Sequence, residues 1–405
     1  MVNARLNFAF TISAFILHVE FFTLAVSNLR QMPYSENSIR VRHNLIKRGI
    51  RAAAFLSLSV IGKPVFSQQF HEPLPVFKET PRHYICRETK DKVVIDGKLD
   101  DKGWQTADWS EDFKDIEGDV KPAPALRTRV KMMWDSAYLY IGAVLQEPHI
   151  WGTLKEHDAI IFHDNDFEVF IDPDGDTHRY YEIEINALNT VMDLFMNIPY
   201  RNGGEAMINW DTKGIITAVH IDGTINNPSD RDKEWSVEMA IPYKALSFFS
   251  RELRPAENTI WRINFSRVEW DTDIKDGKYL KKPLPEHNWV WSPQGIINMH
   301  APERWGYLLF TSKANAVFEL PASEEAKKYL WQIYSAQQNY AQLHGKYASG
   351  LDALNINARQ TGAHGQVYNL IMEGISSQFT ASVTGSNFAG SVNINQEGKV
   401  YSNRK

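Results

Sequence analysis

The sequence predicts an all-β fold, an antiparallel β-sandwich, followed by a small α+β unit at its C-terminal end. Three observations carry this. Between 92 and 311, at least nine short runs alternate apolar and polar residues, and turn residues close them. No long helical period falls among these runs, which favours a sandwich over a parallel sheet with crossover helices. The one sustained stripe of helical spacing lies beyond them, at 324–344.

Taken in order, the run 93–96 ends at Gly97. The run 127–133 alternates and turns through Trp134-Asp135 into 138–144. The run 167–171 leads through the acidic turn 172–176 into 180–186, and 191–196 follows. Further strands are expected at 215–221, 235–241, 261–268 and 305–310. The segment 242–249 breaks the alternation, and Ala245, Leu246 and Phe249 predict one short helix there. In the tail, Tyr329, Ile333, Ala336, Tyr340 and Leu343 form the helical stripe, with Ser323 as its cap and Gly345 as its stop. Short strands are expected at 379–383, 391–394 and 399–401.

Alternation also assigns faces. In DNDFEVFIDPDGD, from Asp164, residues Phe167, Val169 and Ile171 share one side and Asp166, Glu168 and Asp172 the other. In 180–186, Tyr181, Ile183 and Ile185 oppose Tyr180, Glu182, Glu184 and Asn186. With Glu238 on its own strand, four glutamates are expected on one sheet face. Such like charges repel and call for an arginine, a cation or a polyhydroxylated ligand. Arg262 and Arg267 are the arginines at hand.

Composition narrows the function. The chain has 405 residues, 43% hydrophobic and 23% charged, as in ordinary folded proteins. A net charge of -5 gives no electrostatic case for nucleic acid. Cys86 is the one cysteine, so no intramolecular disulfide or Cys-rich zinc site can form, and it reads as a packed thiol. Lys47, Arg48 and Arg51 precede an apolar run, 52–61, and then Val65, Phe66 and Ser67. That order is expected of a secretory signal with cleavage near Ser67, and the run is too short to span a bilayer. A second apolar stretch lies at 6–29, and Met32 is an alternative start. The expected organisation is a targeting region at 1–67, a linker at 68–91, the sandwich at 92–313 and the tail unit at 314–405. Export to the periplasm, cell surface or medium is expected, with no stable membrane insertion after processing.

Seven pieces in order then resemble the family 9 carbohydrate-binding module. They are IDGKLDDKGW from Ile95, WDSAYLYIGA from Trp134, DNDFEVFIDPDGD, YYEIEINALNT from Tyr180, WSVEMAIPYKAL from Trp235, WRINFSRVEW from Trp261, and NWVWSPQG with HAPERWGYLLF. The resemblance covers about 92–311. It implies a β-sandwich of the DOMON-like kind, sugar binding by aromatic clamping, and structural calcium.

Several residues fit that chemistry. Trp151, Trp210, Trp270, Trp289 and Trp291 fall at strand ends or in loops, where an indole can cover the C–H face of a sugar. By the resemblance, Trp151 leads the clamp; Trp291 is second, on its position in the chain. Glu168, Glu182, Glu184, Asn186 and Arg267 are expected to meet the hydroxyls, and Tyr200 and Arg201 reach from a Gly203-Gly204 loop. Asp164, Asn165 and Asp166 offer hard oxygens to calcium or to a sugar, and Asp172, Asp174 and Asp176 form a second acidic turn. Both groups read equally as turn-capping side chains. The glutamates admit a glycosidase reading, which needs two separated carboxylates, and a docking protein is the third reading. His157, His163, His178, His287 and His300 are scattered without a zinc-helix spacing. No phosphate loop, dinucleotide fingerprint or nucleophile elbow is present.

Overall fold

Strand alternation builds most of this molecule. The computed structural model describes residues 80–247, 254–362 and 364–403. The expected signal segment and Phe249 lie outside the described residues. Fifteen strands form the body: β1 (His83–Glu88), β2 (Lys114–Asp115), β3 (Thr128–Trp134), β4 (Tyr138–Gln146), β5 (Asp166–Asp172), β6 (Tyr180–Asn186), β7 (Val191–Met196) and β8 (Ala206–Met207). They continue with β9 (Ile216–Asp222), β10 (Glu234–Pro242), β11 (Ile260–Glu269), β12 (Thr272–Lys275), β13 (Lys278–Lys281), β14 (His287–Val290) and β15 (Gly306–Thr311).

One curled sheet runs β8-β7-β6-β5-β11-β15-β1-β3-β4-β10-β9, with β14 and β2 attached beside β11. Its two halves fold onto each other around one core. Phe167, Val169 and Ile171 of β5 and Tyr181, Ile183 and Ile185 of β6 meet Val130, Met132, Ile141 and Val237 of the other half. The inward faces are those that alternation assigns.

Three local expectations are corrected. The sheet is not purely antiparallel: β1 pairs in parallel with both β15 and β3, and it joins the two halves. Its residues fall in the expected linker, and Cys86 is fully buried on it, where burial pushes the thiol up. The run 93–96 forms no strand, although Val93 and Ile95 still pack beside Trp104 of the short helix α1 (Lys102–Thr106). The segment after β10 makes turns at 243–246 rather than a helix. Tyr243 and Leu246 anchor in the core there, which fixes the segment without a helical period.

The tail comprises α2 (Ala322–His344), β16 (Arg359–Thr361), β17 (Val367–Gly374), β18 (Phe379–Gly385), β19 (Ser391–Asn395) and β20 (Val400–Asn403). The five strands form an antiparallel sheet, and α2 packs on β18 and β19. Pro321, not Ser323, caps α2, which ends at the left-handed Gly345 (φ 68°) as expected. Leu343 is 80% exposed, because the buried face rotates toward Leu330, Trp331 and Tyr334. Tyr334 takes a hydrogen bond from Asn202 Nδ2 at 2.7 Å, and Val400 N–H donates to the Asp176 carbonyl at 3.0 Å. The tail is thereby fastened to the sandwich.

Candidate functional site

The outer faces of β5 and β6 form the floor of a cleft. Because Phe167 and Val169 point into the core, Glu168 must point out. Register places Glu168 opposite Glu184, with Glu182 two residues away on β6. Phe162, from the loop before β5, and Tyr200, from a short turn after β7, rise beside this floor. With Asn288 of β14 and Met299-His300 they line a cavity of about 300 Å³. Phe162 is 36% exposed and Tyr200 43% exposed, so both rings keep a free face.

Hydrogen bonds hold the walls. Phe162 N–H donates to Glu184 Oε2 at 3.0 Å, which ties the loop to the floor. The Phe162 carbonyl accepts from Trp270 Nε1 at 2.8 Å. His300 Nδ1 lies 2.9 Å from the Tyr180 hydroxyl, and its ring meets Tyr200 edge-on at 4.4 Å. Burial holds His300 down to about 4, so it is neutral at pH 7.

The floor is acidic and has no countercharge. Neither Lys nor Arg is among the described residues lining the cavity. Burial first, and then the charge of Glu168, pushes Glu182 up to about 8. Burial and neighbouring carboxylates also raise Glu168, Glu184 and Asp166. Glu182 Oε2 and Asp166 Oδ2 are buried and accept no hydrogen bond. These groups hold protons more tightly folded than unfolded. Their contribution to stability is therefore complete below the ordinary glutamate value of 4.5 and is lost as pH rises toward 8. Calorimetric melting should fall by roughly 5 °C between pH 5.5 and 8.5, and Glu182→Gln should flatten that fall. A variant profile that superimposes on the wild type would exclude Glu182 as its source.

The indoles fall elsewhere than the sequence suggests. Trp291 is fully buried in the core, and Trp289 is 5% and Trp151 6% exposed. Trp210 packs on Tyr181 at 4.9 Å, and Trp270 lies half-buried under Lys281, whose Nζ is 3.5 Å above the ring. No indole lines the cavity, so the expected pair of facing tryptophans is replaced by Phe162 and Tyr200. The reason is area: a ring as large as indole is best hidden where a core or loop can cover it.

Other expected ligand groups turn inward. Arg201 is buried in a bidentate pair with Glu303 at 3.0 and 2.9 Å. Arg267 is buried between Glu147 and Glu269. Arg262 donates to the carbonyls of Pro302 and Glu303. Asn186 Nδ2 donates to the Leu154 carbonyl at 2.9 Å and to Asp164 at 3.0 Å. Glu238 lies in the other half of the sheet. It accepts from Trp104 Nε1 at 2.8 Å and from the amides of Asp96 and Gly97. Gly97 has φ +86°, and a Cβ there would meet His220 N at 2.5 Å, so the motif requires glycine.

The acidic groups divide too. Asp164 accepts from Thr153, Leu154 and Asn186; Asn165 bonds Glu269 and the Trp270 amide; Asp166 faces the cleft glutamates. These three side chains take different partners, and Asp166 converges instead with Glu168 and Glu184. Asp172, Asp174 and Asp176 do converge. Arg179 already bridges Asp174 and Asp176 at 3.3 Å, and Lys399 reaches Asp176 at 3.4 Å. Asp172 caps the turn amides of Gly175 and Thr177. The turn is cross-linked by the protein's own cations.

Sequence reasoning misses Phe162, Asn288 and His300. Phe162 sits in a short apolar run with no period. Asn288 and His300 sit within quoted motif pieces, where nothing in the spacing sets them apart.

Residues 95–308 match the family model described as carbohydrate family 9 binding domain-like. Among solved structures, a candidate carbohydrate-binding protein of Bacteroides uniformis is similar, with 16% identity over 57% of this chain and 100% of that chain, at TM-score 0.43. A family 9 carbohydrate-binding module of Caldicellulosiruptor kristjanssonii in complex with cellotriose has 15% identity over 59% of this chain and 100% of that one, at TM-score 0.36. The same module with glucose gives 15%, 59%, 100% and 0.35. No curated protein matches the chain.

Proposed function

Because the chain belongs to the carbohydrate family 9 binding domain-like family, we propose that it binds a neutral carbohydrate, without cleaving it, in the cleft over β5 and β6. The observation that carries this is the pairing of two half-exposed rings, Phe162 and Tyr200, with an acidic floor. Aromatic faces cover sugar C–H groups, and carboxyl and amide groups meet the hydroxyls at the rim. Asn288 adds an amide, and Glu182 Oε2, 3.6 Å from His300 Nε2, adds an acceptor without a hydrogen bond.

Charge sets the ligand class. A floor of glutamates without lysine or arginine offers no cation to pair with uronic acids or sulfated sugars, which favours a neutral ligand. Cleavage is disfavoured by placement. Donor oxygens of Glu168 and Glu184 lie within 4.8 Å of each other on adjacent strands. Hydrolysis needs two carboxyls flanking the scissile bond, whereas Glu168 and Glu184 are cross-strand neighbours on one sheet face. The charge and apolar order at 47–67 supports export, so the sugar would be met outside the cytoplasm.

A glycan array carrying neutral and uronate oligosaccharides tests this reading. The expected result is retention of one or more neutral glycans and none of the uronates, with no new reducing ends released on incubation. An array with no retained glycan, or with uronates alone, would contradict it.

A further inference from the structure

The geometry points to a transition-metal site on the opposite face of β7 from the cleft, built by His157, Asp158, Asp193 and Asp211. One donor atom from each lies within 4.8 Å of all the others. His157 and Asp158 come from the loop before β5, Asp193 from β7 and Asp211 from the loop before β9. Met192 and Leu194 point to the cleft side of β7, so Asp193 points away from it.

The histidine is prepared as a ligand. Its Nδ1 lies 2.8 Å from the Val191 carbonyl, which can only accept. Nδ1 therefore carries a proton, and loss of the proton on Nε2 presents a lone pair on the other side of the ring. This is the arrangement that fixes metal-binding imidazoles, the second nitrogen being held by a carbonyl or carboxylate. Nε2 faces three more acceptors: Asp211 Oδ1 at 3.2 Å, Asp158 Oδ1 at 3.6 Å and Asp193 Oδ1 at 3.9 Å.

Four potential donor atoms converge, with His157 Nε2 and Asp211 Oδ1 in hydrogen-bond contact at 3.2 Å. Asp193 is 1% exposed, and its Oδ1 accepts no hydrogen bond; the same holds for Asp158 Oδ1. The other Asp193 oxygen is held by the Thr212 amide, which aims Oδ1 into the cluster. Four donors bound tetrahedrally at about 2.0–2.2 Å lie about 3.3–3.6 Å apart. The three separations from His157 Nε2, 3.2, 3.6 and 3.9 Å, are close to that. One imidazole with three carboxylates suits zinc or a neighbouring first-row divalent ion, not calcium, which takes six to eight oxygens. The His157 side chain is 56% exposed and that of Asp211 65%, so an ion can enter from solvent.

Titration calorimetry of zinc chloride into the full chain, without a polyhistidine tag and after chelator treatment, tests the site. One zinc per chain is expected, at micromolar affinity or tighter. His157→Ala and Asp193→Asn should each weaken it at least 10-fold, with circular dichroism unchanged for the exposed His157 variant. Calcium should bind at least 10-fold more weakly than zinc. Absence of saturable uptake would leave an imidazolium paired with carboxylates and overturn the assignment. Isotherms unchanged in both variants, or calcium bound as tightly as zinc, would overturn it as well.

Discussion

Replacing Arg267 with alanine is expected to cost roughly 3–5 kcal/mol of folding stability. Arg267 is 1% exposed and makes five hydrogen bonds from β11. Nε and Nη2 reach Glu269 Oε2 at 3.0 and 2.7 Å, and Nη2 also reaches Glu147 Oε2 at 2.8 Å. Nη1 donates to Thr128 Oγ1 and to the Gln146 carbonyl, so one guanidinium ties β11 to β3 and β4 across the core. Its removal leaves two buried carboxylates without a cation. Burial and the charge of Glu269 already push Glu147 up to about 8, against the pull of Arg267. Denaturant unfolding at pH 7 should show the loss as a lower midpoint with an unchanged slope. Arg267→Lys should restore only part of it, because an ammonium cannot reproduce the planar fork. A midpoint within about 0.5 kcal/mol of the wild type would contradict the role of Arg267 as a buried strut.

Arg267 also shows where the sequence runs out. Alternation puts Arg267 on the same face of β11 as Ile263 and Phe265, the core side, and its register partner Phe167 faces the core as well. What alternation cannot report is which partners a cation meets on that side. Glu147 and Glu269 turn an expected ligand arginine into a buried strut. The same holds for Trp291, whose strand-end position looks open but whose ring fills the core.

The faces of β5 and β6 were legible because period-2 patterning is a local property. The parallel insertion of β1 was not, because His83–Glu88 carries little alternation and its partners lie more than 40 residues away. The β12–β13 hairpin was legible and overlooked: Asp276 (φ 53°) and Gly277 (φ 71°) make the two-residue turn that an Asp-Gly pair signals. Glu238 was placed with the other glutamates on strand pattern alone. Only topology shows that β10 belongs to the opposite half. The pairing of Phe162 with Tyr200 depends on loops 38 residues apart, and no spacing rule brings such loops together.

Truncating both cleft rings, Phe162→Ala with Tyr200→Ala, should abolish measurable sugar binding and leave the fold intact. Half-exposed rings contribute little to the core, so stability should change by less than about 1 kcal/mol. Central aromatic contacts in a binding site are worth about 2 kcal/mol or more each, about 30-fold in affinity per ring. The two should not add perfectly if one sugar ring touches both. Trp270→Ala bears on the same wall from behind, since its Nε1 supports the Phe162 carbonyl, and should have a smaller effect.

Calorimetric titration of a glycan retained by the wild-type chain into the Phe162→Ala/Tyr200→Ala variant is the most direct measurement. The two rings over the acidic floor, if they form the sugar site, predict a heat signal in the wild type and none in the folded double variant. Wild-type affinity in that variant would contradict the cleft as the place where carbohydrate binds.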